Sequence, residues 1–131
     1  MLLKAPYHCC VVCTDYQKAK EFYIDILGLR LKKETWREAQ RDYKLELYLG
    51  DFYVLELFIN ESATPAAAPD SPKRAGLNHL CFLVDDVDAA VAYLRKRGVC
   101  CTDSRLDEDS NPIAFFYDPD GQKLELYHIA D

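Results

Sequence analysis

Two histidines and two glutamates occupy matching places in this sequence, and they are the side chains best suited to do chemistry. His8 and His79 each open a short apolar stretch, and Glu56 and Glu125 each stand inside a Leu-Glu-Leu motif. The spacing between the two histidines nearly equals the spacing between the two glutamates. Two imidazoles and two carboxylates suit a divalent transition metal, with Zn, Ni, Co, Mn and Fe all left open. We therefore predict that these four residues bind one such ion.

Strand geometry predicts where the two glutamates point. Neighbouring residues of a β-strand face opposite sides of the sheet, so Leu55 and Leu57 share the face that Glu56 avoids. The leucines favour the core, which leaves each glutamate on the open face, where a carboxylate needs a partner or a cation. The alternative is that these are ordinary half-buried histidines and solvent-facing glutamates. The duplication of both residue types argues against it.

The elements that must position these side chains also repeat. Each histidine is followed seven residues later by an aspartate, Asp15 or Asp86, which can cap a helix. Gly28 and Gly98 are placed to end the two helices. Apolar residues then recur at helical spacing in each half. These stripes are Ala19, Phe22, Tyr23 and Ile26 in the first half and Val87, Ala90, Val91 and Leu94 in the second.

Three strands follow each helix, which gives a β-α-β-β-β unit twice. We predict an α+β fold, in which two paired βαβββ modules form a curled mixed sheet, or half-barrel, around a metal-centred cleft. The whole chain, residues 1–131, would be one domain with module one at 5–59, a linker rich in Ala, Pro and Ser at 60–76, and module two at 77–131. The predicted strands are 30–36, 44–49 and 52–59 in the first module and 99–105, 113–117 and 123–128 in the second.

The chain resembles the vicinal oxygen chelate superfamily, which contains glyoxalases, bleomycin-resistance proteins and extradiol dioxygenases. The resemblance rests on the strand of His8 and on the segments FYIDILGLRL, NHLCFLVDDVDAAVAYL and FFYDPDGQKLELY. It implies metal ligands at His8, Glu56, His79 and Glu125, a set similar to that of glyoxalase I. Residues 34–39 lack the arginine and asparagine pattern with which glyoxalase I binds glutathione. The resemblance therefore implies a glyoxalase-like branch with another substrate.

The activity that the resemblance implies is metal-assisted proton transfer, by way of an enediolate, on a small substrate with two vicinal oxygens. Such an enzyme is a lyase or isomerase, with Glu125 or Glu56 as general base and Glu125 favoured. Arg37, Phe58 and Tyr127 are the candidate substrate-binding residues, with Arg41 as another possible anion contact. Two alternatives stay open: a binding protein of the bleomycin-resistance type without turnover, and an Fe(II) dioxygenase.

Composition and charge exclude several other classes of protein. The chain has 131 residues, half of them hydrophobic, and a net charge of -6, which argues against a nucleic-acid partner. No apolar run approaches the roughly 20 residues of a membrane span, and no signal peptide is evident at the N-terminus. We therefore expect a cytoplasmic protein whose six cysteines are reduced core thiols. The resemblance adds the expectation of a homodimer with a small-molecule substrate.

Overall fold

The computed structural model describes residues 1–66 and 73–131 and contains two compact units. We call them module one, Met1–Pro65, and module two, Ala66–Asp131. Each holds a four-stranded mixed sheet and little helix, which confirms the α+β class. Residues 67–72 of the linker predicted at 60–76 lie outside the described residues. Within the described ranges, no helix combines the length and the apolar character that a bilayer span requires.

Module one follows the predicted order of elements. Its elements are β1 (Cys9–Cys13), α1 (Tyr16–Lys20) with a π-helical continuation (Glu21–Ile26), β2 (Arg30–Arg37), β3 (Asp42–Leu49) and β4 (Phe52–Ile59). In the sheet β1 runs parallel to β4, and the other neighbours are antiparallel, in the order β1-β4-β3-β2.

Module two repeats this topology with shorter strands. Its elements are β5 (Leu80–Leu83), α2 (Val87–Lys96), β6 (Arg105–Leu106), β7 (Pro112–Tyr117) and β8 (Lys123–Tyr127). The strand order is β5-β8-β7-β6, again with the first strand parallel to the last and the other neighbours antiparallel. The repeat read from the sequence is therefore a repeat of strand order as well.

The helix boundaries follow the capping residues in the sequence. Asp15 and Asp86 accept hydrogen bonds from the backbone N–H groups of the residues three positions on, at 2.9 and 3.0 Å. Gly28 and Gly98 have φ values of 79° and 80°, in the left-handed region that ends a helix and favours glycine. The first helix differs from the prediction in its π-helical segment, where the Leu27 N–H donates to the Phe22 carbonyl.

The alternation predicted around the two glutamates is present in both modules. Leu55 and Leu57 are 0% exposed, while the Glu56 side chain on the other face is 13% exposed. Leu124 and Leu126 are likewise buried beside Glu125. Burying these leucines stabilises each sheet by the hydrophobic effect, and it leaves each carboxylate on the open face.

The strand predicted at 99–105 is wrong over most of its length, because only part of its pairing with β7 is regular. The paired strand is limited to Arg105–Leu106, with Cys101 in an isolated bridge to Phe116. The Thr102 hydroxyl accepts from the Phe115 N–H at 2.9 Å. The Arg95 guanidinium donates to the Cys101 carbonyl at 3.1 Å. The backbone still pairs in part, since the Thr102 N–H donates to the Phe115 carbonyl and the Tyr117 N–H donates to the Cys100 carbonyl. The Thr102 hydroxyl accepts the bond that the Thr102 carbonyl would accept in a regular ladder.

Candidate metal centre

Strand pairing brings His8 and Glu56 together in module one. His8 immediately precedes β1, and β1 runs parallel to β4 with Cys10 opposite Glu56. The two side chains therefore project from neighbouring strands on the same face of the sheet. His8 Nε2 lies 3.7 Å from Glu56 Oε2, and the two side chains are 25% and 13% exposed.

Module two builds the same pair from His79 and Glu125. His79 immediately precedes β5, Cys81 lies opposite Glu125, and His79 Nε2 is 3.4 Å from Glu125 Oε2. The other ring nitrogen, Nδ1, is 2.8 Å from the side-chain oxygen of Asn78. With Nδ1–H donating to that amide oxygen, Nε2 keeps its lone pair available for a metal.

Each pair fits a shared transition-metal ion. Imidazole nitrogens and carboxylate oxygens bind Zn²⁺ at about 2.0–2.2 Å, so two ligands of one ion lie within about 4 Å of each other. The separations in the two modules, 3.7 and 3.4 Å, meet that limit. Nitrogen and carboxylate oxygen are also the donor types that such ions accept. The convergence of both pairs on one ion stays a prediction.

Glu56 has two further polar neighbours that sequence reasoning missed. The Tyr53 hydroxyl donates to Glu56 Oε2 at 3.2 Å, and Lys44 Nζ lies 3.6 Å from the same oxygen. Burial and the negative charge of Glu56 raise the pKa of Tyr53, since both disfavour a phenolate. The hydroxyl therefore stays protonated and acts as a donor.

A β-bulge explains why strict alternation did not reveal Tyr53. It stands three residues before Glu56, which would place the two on opposite faces of a regular strand. The pairing of β3 with β4 shifts at this point: Leu47 lies opposite Leu55, but Tyr48 lies opposite Tyr53. The extra residue, Val54, reverses the alternation.

A cysteine lies beside each glutamate, with Cys10 opposite Glu56 and Cys81 opposite Glu125. Burial, followed by the charge of Glu56, raises the pKa of Cys10 to about 11. Burial, followed by a hydrogen bond to Glu125, raises the pKa of Cys81 to about 12. Both are therefore neutral thiols near pH 7 rather than thiolate nucleophiles. The expectation that all six cysteines lie in the core is wrong: Cys13 is buried, but Cys10, Cys81 and Cys100 are exposed.

Arg37 and Phe58 form one structural unit on the Glu56 side of module one. The guanidinium lies 3.9 Å from the Phe58 ring centroid. Its Nε and Nη2 donate to the two carboxylate oxygens of Asp42 at 2.8 and 2.7 Å. These hydrogen bonds raise the pKa of Arg37. Asp42, which the sequence analysis missed, is itself 5% exposed and fixes the orientation of the guanidinium.

Tyr127 occupies the position in module two that Phe58 occupies in module one, two residues after the glutamate. Its hydroxyl donates to Asp107 Oδ2 at 2.7 Å and accepts from Asn111 Nδ2 at 2.9 Å. Backbone hydrogen bonding from Asn111, and then the bond from Tyr127, lower the pKa of Asp107. The Tyr127 ring is thereby tied to the loop before β7.

Arg41, the other candidate anion contact, lies in different surroundings from Arg37. Arg41 and Trp36 line a cleft of about 630 Å³ together with Tyr43 and Tyr16. Tyr43 contacts Tyr16 of α1, so this cleft lies on the helix-covered face, away from Glu56. Arg41 is 75% exposed at its side chain and pairs with Glu38. Of the two arginines, Arg37 is therefore the one on the face of Glu56.

Comparison with known proteins places these features in context. The family model described as the Glyoxalase/Bleomycin resistance protein/Dioxygenase superfamily matches residues 6–126. The YaeR protein of Escherichia coli K12 is 45% identical over 95% of this chain and 96% of its own length. The crystal structure of a glyoxalase family protein from Enterococcus faecalis aligns with a TM-score of 0.85 at 35% identity, covering 97% of this chain and 99% of that one. The 2-epi-5-epi-valiolone epimerase of an Actinomyces species is 31% identical over 95% of this chain and 79% of that enzyme.

Proposed function

We propose, from the premise that this chain belongs to the Glyoxalase/Bleomycin resistance protein/Dioxygenase superfamily, that it is a metal-dependent lyase or isomerase. It moves a proton next to a carbonyl of a small substrate with two vicinal oxygens. His8, Glu56, His79 and Glu125 hold one divalent transition metal ion, Zn, Ni, Co, Mn or Fe. The observation that carries the proposal is the duplicated pair, with its histidine and glutamate ligand atoms 3.7 and 3.4 Å apart.

The ion and Glu125 have different roles in the proposed reaction. When bound, the ion supplies a Lewis acid that stabilises negative charge on the substrate oxygens. Glu125 accepts the proton from the carbon beside the carbonyl and returns it to the substrate. A half-buried carboxylate, 13% exposed at its side chain, is shielded from bulk water and suits that role. The epimerase relative supports proton transfer as the reaction type.

The substrate-binding residues that we propose are Arg37, Phe58 and Tyr127. Asp42 uses two of the five N–H donors of the Arg37 guanidinium, so the others can contact an anionic or carbonyl group of the substrate. The rings of Phe58 and Tyr127, each two residues beyond a glutamate, supply apolar walls. A homodimer is the assembly that we propose from the same superfamily membership.

Elemental mass spectrometry of the purified protein tests the metal site. We expect near-stoichiometric transition metal in the wild type and its loss in a His8→Ala, Glu125→Ala variant that keeps its circular dichroism spectrum. The loaded protein would then be assayed with 2-oxo aldehydes, hemithioacetals and epimerisable 2-oxo acids. A wild-type protein that takes up no metal after reconstitution would overturn the proposal and favour the non-catalytic binding protein. Oxygen consumption with a catechol panel would instead identify a dioxygenase.

A further inference from the structure

Tyr53 is in contact with both predicted metal ligands of module one. Its ring stacks on the His8 imidazole, with centroids 4.5 Å apart and planes 27° apart. Its hydroxyl donates to Glu56 Oε2 at 3.2 Å. The side chain is 5% exposed, so this arrangement is buried and ordered rather than a surface encounter.

Tyr53 is itself fixed by its neighbours. The Tyr48 ring stacks against it, with centroids 5.2 Å apart and planes 13° apart, and Tyr7 meets its edge at 5.1 Å. The bulge at Val54 turns its ring to the face of Glu56. The backbone and the aromatic neighbours together hold the hydroxyl in place before any ion binds.

Module two has no counterpart of this arrangement in its described residues. Gln122 stands three residues before Glu125, as Tyr53 stands before Glu56. Its amide donates to the backbone carbonyls of Lys123 and Asn78, at 3.1 and 3.5 Å, and not to the glutamate. The pairing of β7 with β8 is also regular, so no bulge turns Gln122 toward Glu125. His79 meets Phe115 edge-on at 5.6 Å instead of stacking.

We infer that Tyr53 is a positioning residue that holds His8 and Glu56 in a metal-binding geometry. The inference rests on the proposed metal site and adds a role that the superfamily pattern of ligands does not contain. A carboxylate oxygen has two lone pairs, so the bond from Tyr53 leaves Glu56 able to bind an ion. Hydrogen bonds that orient metal ligands typically contribute about 10–100-fold to metal affinity.

The test compares Tyr53→Phe with Tyr48→Phe. The first variant removes the hydroxyl on Glu56 and keeps the ring on His8, and the second removes a hydroxyl from the adjacent stacked ring. Co²⁺ and Zn²⁺ affinities are measured by competition with a chelator, and the visible spectrum of the Co²⁺ protein reports ligand geometry. We expect Tyr53→Phe to weaken metal binding about 10-fold or more and to change the Co²⁺ spectrum, and Tyr48→Phe to do neither.

A double-mutant cycle with Glu56→Ala, which removes the acceptor, gives a second, independent readout. If the hydroxyl acts through Glu56, the losses from Tyr53→Phe and Glu56→Ala will be less than additive. Wild-type affinity in Tyr53→Phe, equal weakening in Tyr48→Phe, or full additivity would each overturn the inference while leaving the metal site standing. A wild-type protein that binds no metal would overturn the proposed function and the inference together.

Discussion

The two modules place different polar groups beside the residue that lies two positions after the glutamate. Two residues after the glutamate, module one has Phe58 with the Arg37 guanidinium 3.9 Å from its ring centroid. Module two has Tyr127, whose hydroxyl donates to the Asp107 carboxylate. Strand order repeats, but Phe58 lies against a guanidinium that is paired with Asp42, whereas the Tyr127 hydroxyl is bonded to a carboxylate. Duplication has thus preserved the scaffold while the surroundings of the two glutamates have diverged.

The immediate neighbours of the two glutamates differ as well. Glu56 accepts a hydrogen bond from Tyr53 and pairs with Lys44. Within module two, Glu125 is contacted by His79 and by the Cys81 thiol. A carboxylate held by a hydroxyl and an ammonium group is suited to a fixed role. A carboxylate with fewer charged partners is suited to move a proton, and this difference supports Glu125 as the base.

The largest expected effect is on kcat, and it should distinguish the role of Glu125 from that of Glu56. Glu125→Gln should lower kcat by about 10²–10⁴-fold, the usual contribution of a general base, with metal still bound through the amide oxygen. Glu56→Gln should act mainly on metal affinity, so saturating metal should restore much of its kcat. Steady-state kinetics across a metal titration checks both variants, with the substrate found in the assay panel. Equal losses of kcat in both variants at every metal concentration would show that the two glutamates do not have separate roles.

Truncating a buried leucine behind the glutamate should lower the free energy of unfolding to a similar extent in both modules. Leu57→Ala and Leu126→Ala each delete a buried side chain, 0% and 5% exposed. Each should lower the free energy of unfolding by about 2–5 kcal/mol. Val12→Ala, at a residue 53% exposed, is the control and should change it by about 0.5 kcal/mol or less. Urea unfolding measures all three, and a negligible loss for either leucine would show that the two cores are not equivalent.

Replacing Lys44 should change metal affinity in the opposite direction to replacing Tyr53. Its ammonium lies 3.6 Å from Glu56 Oε2, where it competes with a bound cation by charge repulsion. The charge-removing variant Lys44→Met should therefore strengthen metal binding, by a few-fold at low salt because the group is partly solvated. Lys32→Met, which removes an ammonium that lies over the Tyr48 ring, is the matched control. Weaker metal binding in Lys44→Met would show that the ammonium supports the site instead.

The fold was predictable wherever one residue decides a local structure. The alternation of Leu55, Glu56 and Leu57 gave the faces of β4 correctly, and Asp15 and Gly28 gave the limits of the first helix. These features depend on burial and backbone conformation over a few residues, which a sequence displays directly. The repeat predicted one site made of His8, Glu56, His79 and Glu125. The structure pairs His8 with Glu56 and His79 with Glu125, and their convergence on one ion stays a prediction.

The missed features depend on contacts between elements. Tyr53 reaches Glu56 through a bulge, and a bulge leaves no clear mark on the apolar pattern. The strand predicted at 99–105 is interrupted where the Thr102 hydroxyl, in place of its carbonyl, accepts from the Phe115 N–H. Asp107 meets Tyr127 across 20 residues of sequence. Such contacts are set by strand register and loop conformation, which local propensity does not determine.

The smallest expected effect concerns Asp107 and acid stability. Its folded pKa lies below the ordinary value of 3.8, because the Asn111 backbone N–H and the Tyr127 hydroxyl favour the carboxylate. A lowered folded pKa stabilises the protein above the unfolded pKa, and that contribution is lost as the pH falls through the folded pKa. Asp107→Asn should therefore have a slightly lower Tm than the wild type at pH 7. The difference should shrink as the pH falls below 3.8.

Asp109→Asn is the control for a general charge effect, because it removes a carboxylate from the same loop without removing the bond between Asp107 and Tyr127. Tyr127→Phe should reproduce part of the Asp107→Asn loss at pH 7, since it removes one donor and leaves the backbone bonds. Differential scanning calorimetry of the three variants between pH 7 and about pH 2 measures the effect. Phe58 has no hydroxyl and contacts Arg37, whose bonds to Asp42 the variant leaves in place, so Phe58→Leu should show no comparable dependence on acid pH. A pH-independent Tm difference in Asp107→Asn would mean that the ionisation of Asp107 has no part in stability.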